Sequence, residues 1–179
     1  MPFTSRNTLL TLVALALCCA CQARFFDMPN GSMEPIIHAG ERLQVDRAAY
    51  RSRLPERGDL VAFHPARHPE RLWVLRVVGL PGERLSVNDG RLTADDVELN
   101  CAWEPIDEES SRNQVEQHGM PMHIPEGQYF VLGDNVREAN DSRFWGTVPL
   151  SCIIGRIVPQ AGDAADRFSP PAGIDGRSR

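Results

Sequence analysis

Residues 73–94 read WVLRVVGLPGERLSVNDGRLTA, and this stretch decides the class of fold. It holds short runs rich in valine and leucine, which favour β-strands, separated by residues that favour turns. The last two runs are joined by Asn88, Asp89 and Gly90, which tolerate the positive φ angles of a tight hairpin. We therefore predict consecutive strands here.

The same pattern of short apolar runs and turn residues continues on both sides of this stretch. No segment after residue 30 shows a long helical period. The predicted strands are 42–47, 59–63, 73–80, 84–87, 91–94, 128–134 and 153–158. Several strands at this spacing predict a mainly β fold, sheet-like or barrel-like. The polar residues 104–127 are predicted to form an exposed loop.

Composition excludes several classes of function. The 179 residues predict one globular domain, and 24 acidic against 19 basic residues give a net charge of −5. No cluster of positive charge is present to contact nucleic-acid phosphates, so we expect no nucleic-acid partner. All 19 basic residues are arginine, which excludes a lysine amine as base or nucleophile. No group of cysteines and histidines has metal-ligand spacing, so we predict no metal site and no cofactor.

The N-terminus carries an uncharged stretch, TLLTLVALALCCACQA, at residues 8–23. Three interpretations stay open: an uncleaved membrane anchor extended to Phe25 and Phe26, a cleaved signal peptide, or lipidation at Cys21. We favour a single apolar helix that anchors the chain in the inner membrane and contacts lipid. Because short positive N-termini stay inside, the domain is expected on the outer face.

This organisation divides the chain into three parts. Residues 1–24 are the predicted anchor or signal segment, 25–159 the folded domain, and 160–179 a disordered tail rich in Ala, Gly, Asp, Pro and Arg. Cys101 and Cys152 remain in the exported part, where a disulfide can persist, but spacing alone does not decide whether they pair.

The segment MPNGSMEPIIHAG, residues 28–40, carries the strongest sign of chemistry. Pro29, Gly31 and Pro35 interrupt regular structure, so Ser32 is predicted to lie in a constrained turn. Such a turn can present a hydroxyl with the backbone N–H of the same residue free, as nucleophilic catalysis with an oxyanion hole requires.

Three further motifs follow in order: RGDLVAFHP (57–65), RVVGLPGERL (76–85) and GDNVREANDSRFWGTVP (133–149). With the Ser32 segment, they make the chain from Phe26 to Val158 resemble the type I signal peptidase family. The resemblance implies a β-rich, partly barrel-like domain beside the membrane. It also implies a membrane-bound serine endopeptidase whose partners are the signal peptides of exported preproteins.

The resemblance also implies roles for individual residues. Ser32 is the expected nucleophile, with Asn30 and Gly31 supporting the oxyanion hole or the turn. Asp141 and Arg143 match a structural ion pair. The remaining assignments are a turn near the site (Gly133, Asp134, Asn135) and a substrate pocket (Phe26, Met28, Met33, Val74).

Two positions depart from the family pattern. Leu75 occupies the place of the lysine that serves as base in bacterial members, and Ala139 replaces the serine that orients it. Leucine cannot accept a proton, and the guanidinium of Arg76 stays charged. The candidate substitutes are the five histidines, and of these His38 and His64 are placed where they could approach the site; the other three are His68, His118 and His123. Two hypotheses therefore stay open: an active peptidase with a different base, or an inactive homologue acting as a membrane-tethered peptide-binding or assembly accessory protein.

Overall fold

The structure is a computed structural model that describes residues 23–88, 91–99, 121–158 and 160. Residues 1–22, Cys101, most of the predicted loop and the tail from 161 lie outside these residues, so the predictions made for them stay predictions. In the described ranges, no helix is both long enough and apolar enough to cross a membrane.

The described residues form eleven strands, one α-helix and one 3₁₀ turn. The strands are β1 (Ala23–Asp27), β2 (Arg42–Asp46), β3 (Leu60–Phe63), β4 (Trp73–Gly79), β5 (Arg84–Asn88), β6 (Arg91–Ala94), β7 (Val97–Glu98), β8 (Met122–His123), β9 (Gln128–Leu132), β10 (Val148–Pro149) and β11 (Ile153–Val158). The helix α1 spans Ser142–Trp145, and the 3₁₀ turn spans Leu150–Cys152.

The strands form two antiparallel sheets, which confirms the mainly β prediction. One sheet has seven strands in the order β1-β2-β11-β3-β4-β9-β10, and the other has four in the order β7-β6-β5-β8. Every strand predicted from the sequence is found, and the β5–β6 hairpin pairs Asn88 with Arg91.

Four strands were not predicted: β1, β7, β8 and β10. Two of them, β1 and β8, correct the sequence-based interpretation. Phe25 and Phe26 do not extend a membrane helix but lie in β1, where Phe26 pairs with Leu43 of β2. The loop prediction for 104–127 is wrong at its described end, because Met122 lies in β8 and Ile124 is fully buried. Strands as short as β7, β8 and β10 arise from pairing with a neighbour, which composition does not reveal.

Strand β9 connects the two halves of the hydrophobic core. Its alternate side chains face opposite sides, as the pleat requires. Tyr129 and Val131 pack in the larger cluster, whereas Phe130 and Leu132 pack in the cluster between the sheets. Strand β4 packs closely against the second cluster, since a Cβ added to Gly79 would lie 2.3 Å from a methyl carbon of Ile124.

This topology brings three parts of the chain to one place. The segment after β1 carries the Ser32 turn, and the segment after β9 carries residues 133–141. Strand β4 pairs directly with β9, with Arg76 opposite Leu132. The candidate site lies where these parts meet.

Candidate active site

The Ser32 turn is a closed loop between β1 and β2. The N–H of Met28 donates to the Glu41 carbonyl at 2.8 Å, and the N–H of Gly40 donates back to the Met28 carbonyl at 2.7 Å. Met33 and Ile37 are fully buried and anchor the loop in the core. Ser32 therefore lies in a turn that is fixed at its base, with 8 % of its surface exposed.

The backbone N–H of Ser32 is not free, contrary to the sequence-based expectation. It donates to Oδ1 of Asn30 at 3.1 Å. An Asn side chain that accepts from the residue two positions on forms an Asx turn. Asn30 therefore shapes the turn in this structure, and an incoming oxyanion would have to displace its carbonyl oxygen to reach that N–H.

Residues 133–135 contact the Ser32 turn directly. Asn135 donates its backbone N–H to the Ser32 carbonyl at 3.0 Å and its Nδ2 to the Gly31 carbonyl at 3.0 Å. Gly133 is closer still, because a Cβ added there would lie 2.6 Å from the Ser32 carbonyl oxygen and 2.3 Å from Cβ of Ala139. Only a residue without a side chain fits at 133.

Asp141 and Arg143 form a buried ion pair beneath this contact. Arg143 donates Nε and Nη2 to the two carboxylate oxygens at 2.8 and 2.9 Å, and the N–H of Gly133 also donates to Asp141 at 3.1 Å. The same Nη2 reaches the carbonyls of Val136 and Ala139. Burial raises the pKa of the Asp141 carboxyl, while these hydrogen bonds act to lower it.

A second buried ion pair was missed by the sequence analysis. Arg76 donates Nε and Nη2 to Asp134 at 2.7 and 2.6 Å, and its Nη1 donates to the Gly58 carbonyl at 2.9 Å. The sequence-based interpretation placed Asp134 only in a turn. The available signal was an arginine inside an apolar strand, because a buried charge requires a partner.

Leu75 and Ala139 place hydrocarbon beside the Ser32 turn. Both are buried, and both lie against the Cα of Gly133, with Leu75 Cδ2 3.6 Å from the position of an added Cβ. A proton acceptor is therefore absent from these two positions.

A cavity of about 90 Å³ opens at Ser32. Its apolar walls come from Met28, Pro29, Leu72, Trp73, Val74 and Leu75, and its polar lining from Asn30, Ser32, Glu138 and Asn140. Of the four predicted pocket residues, Met28 and Val74 line it. Met33 is a core residue and the half-buried Phe26 packs against the core, and neither lines this cavity, so their place in the substrate pocket stays a prediction.

Comparisons with known proteins show the family to which this chain belongs. The sequence pattern of the family described as "Signal peptidase, peptidase S26" matches residues 4–160. The chain belongs to the signal peptidase family. It is 34 % identical over 171 residues to a probable signal peptidase I-1 of Synechocystis, covering 87 % of this chain and 81 % of that protein.

Two further proteins are similar to this chain. The thylakoidal processing peptidase 1 of Arabidopsis thaliana is 32 % identical over 159 residues, which cover 82 % of this chain and 42 % of that protein. The crystal structure of a signal peptidase I from Enterococcus faecalis is 31 % identical, with a TM-score of 0.44, and the match covers 58 % of this chain and 97 % of that one.

None of the histidines that the structure describes lines the Ser32 cavity. His38 is exposed and lies 3.8 Å from the Glu34 carboxylate. His64 Nδ1 lies 2.7 Å from the carbonyl oxygen of Arg71. Neither lines the Ser32 cavity. His118 lies outside the described residues.

Cys152 is half-buried in the 3₁₀ turn and pairs with no cysteine among the residues that the structure describes. Because Cys101 lies outside the described residues, the question whether the two cysteines pair stays as the sequence left it.

Proposed function

We propose that the chain is a membrane-tethered serine endopeptidase that cleaves signal peptides from exported precursors, with Ser32 as the nucleophile. The main support is the placement of Ser32 on a cavity of about 90 Å³ that has both apolar walls and polar groups. We expect this cavity to take a small side chain next to the scissile bond more readily than a large one.

The chemistry starts with attack of Ser32 Oγ on the scissile carbonyl. The carbonyl oxygen becomes an oxyanion, which needs preorganised donors. The Ser32 N–H and the Nδ2 of Asn30 would serve as these donors after the Asn30 side chain rotates and releases the Ser32 N–H, from which it now accepts a hydrogen bond. Asn30 is exposed, so this rotation requires no repacking of the core.

The ion pairs Asp141–Arg143 and Arg76–Asp134 would act as supports in this mechanism. They hold residues 133–139 against the Ser32 turn through Gly133 and Asn135. We expect their loss to reduce activity by moving the nucleophile rather than by removing a reacting group.

Cleavage of a labelled precursor in vesicles tests the proposal. The full chain should release the mature product from a precursor with alanine before the cleavage site, and Ser32→Ala should abolish release. Ser52→Ala is the matched control, because Ser52 is exposed and does not line the cavity. Equal release by the wild type and by Ser32→Ala would refute the assignment.

The hydrocarbon at Leu75 and Ala139 favours a second candidate function, a non-catalytic homologue that binds a peptide in the same cavity as an assembly accessory. Under this hypothesis the wild type binds the precursor without cleaving it, and Leu75→Lys with Ala139→Ser creates cleavage. If the wild type already cleaves as fast as the double variant, the accessory hypothesis fails.

A further inference from the structure

The Ser32 cavity carries one ionisable side chain besides the serine among the residues that the structure describes. It is Glu138, and every other residue of the described lining is uncharged. Peptide cleavage by serine needs a group that takes the hydroxyl proton, and carboxylates are among the groups that do so in enzymes. Glu138 therefore stands out from the rest of the lining.

The backbone around Glu138 is held on both sides. The N–H groups of Glu138 and Ala139 donate to the Asn135 carbonyl at 3.2 and 3.0 Å, and Asn135 is itself bonded to the Ser32 turn. On the other side, Arg143 Nη2 donates to the Ala139 carbonyl at 3.3 Å. The Ala139 side chain is buried against Gly133, while its neighbours Glu138 and Asn140 line the cavity.

The carboxylate of Glu138 is also uncommitted. Within the described part of the chain it takes part in no ion pair and no side-chain hydrogen bond. The neighbouring carboxylate of Glu34 differs, since it lies 3.8 Å from His38 and does not line the cavity. Glu138 is thus available to a proton donor in the cavity.

We infer that Glu138 is the general base of this chain and replaces the buried amine for which Leu75 leaves no place. The inference rests on the proposed cleavage by Ser32. The position of the family's lysine lies in strand β4, whereas Glu138 lies in the segment after β9, on another wall of the same cavity.

The proton balance of the reaction closes with this assignment. As Ser32 Oγ bonds to the scissile carbon, its proton passes to the Glu138 carboxylate and the carbonyl pair moves to oxygen. When the C–N bond breaks, Glu138 returns that proton to the leaving amine. Glu138 then takes a proton from the attacking water, and as the acyl–Oγ bond breaks it passes that proton to Oγ.

Three variants of the full chain in vesicles test the inference by precursor cleavage. Glu138→Gln should lower kcat by about 10²–10⁴-fold, the usual contribution of a general base, with little change in KM. Glu138→Asp should restore part of the loss, because it keeps the carboxylate. Glu126→Gln is the matched control, since Glu126 is exposed and does not line the cavity.

A second measurement separates loss of the base from loss of the fold. The rate at which a fluorophosphonate labels Ser32 should fall in Glu138→Gln, while the urea midpoint stays at the wild-type value. Wild-type cleavage and labelling rates in Glu138→Gln would overturn the inference and leave Ser32 cleavage standing. A wild type that neither cleaves nor labels at Ser32 would overturn both.

Discussion

Removal of one partner of the Arg76–Asp134 ion pair should destabilise the fold strongly, and the structure allows a sharp test. The Arg76 side chain is 1 % exposed and that of Asp134 is 7 % exposed. Asp134→Ala removes two charge-assisted hydrogen bonds and leaves the guanidinium buried beside the Gly58 carbonyl. Breaking a buried pair from one side typically costs about 3–5 kcal/mol.

That cost is measurable as a shift in urea unfolding. With a slope of about 2 kcal/mol per molar urea, a loss of about 4 kcal/mol lowers the midpoint by about 2 M. Trp73 and Trp145 report the transition by fluorescence, because both pack against the core. The free energy of unfolding is compared between the wild type and Asp134→Ala.

The matched control is Asp27→Ala. Asp27 and Arg42 make the same two-bond contact at 2.8 and 3.2 Å, but their side chains are 59 % and 66 % exposed. Solvent screens exposed pairs, so we expect a midpoint close to that of the wild type. If Asp134→Ala shifts the midpoint no more than Asp27→Ala does, the reasoning from burial is wrong.

Three more predictions follow from single residues. Gly133→Ala should destabilise the fold by about 1–3 kcal/mol and slow the labelling of Ser32, because the new Cβ lies 2.6 Å from the Ser32 carbonyl oxygen. A urea midpoint and a labelling rate equal to those of the wild type would contradict this. Burial raises the pKa of Tyr50 above the ordinary value of 10.0, so the folded state retains a proton that the unfolded chain releases. Its stabilising effect is present below about pH 10 and is lost as pH rises further, and Tyr50→Phe should flatten this fall in the urea midpoint. Binding of a peptide with alanine at the cleavage position should change the fluorescence of Trp73, because Trp73 lines the cavity. A peptide with phenylalanine at that position should leave the fluorescence unchanged. The same fluorescence change in Trp73→Phe would contradict the assignment.

The sequence predicted the strands that carry their own apolar pattern and missed those that depend on a partner. Strands β3 and β4 are buried along almost their whole length, so their composition alone revealed them. Strand β1 was read as the end of a membrane segment, because an apolar run of aromatic residues fits both environments. Its pairing with β2 is a tertiary fact that local pattern does not contain.

The candidate site shows the same division. Motif order was enough to predict that residues 133–143 accompany Ser32, and their hydrogen bonds join them in the structure. The direction of the Asn30 side chain was not predictable, because one amide can accept from a backbone N–H or donate to a ligand. Glu138 was not predicted for a similar reason. The side chains of Glu138 and Asn140 line the cavity while that of Ala139 is buried, and this becomes visible only when Ala139 is placed against Gly133.

The single carboxylate of Asp141 makes three different structural contacts. It caps α1 by accepting from the Arg143 N–H, it pairs with the guanidinium of that residue, and it fixes the N–H of Gly133 after β9. None of these bonds involves residue 75. The segment that lies against the Ser32 turn is therefore held without a bond from residue 75, so the side chain at that position can be exchanged while this support stays in place.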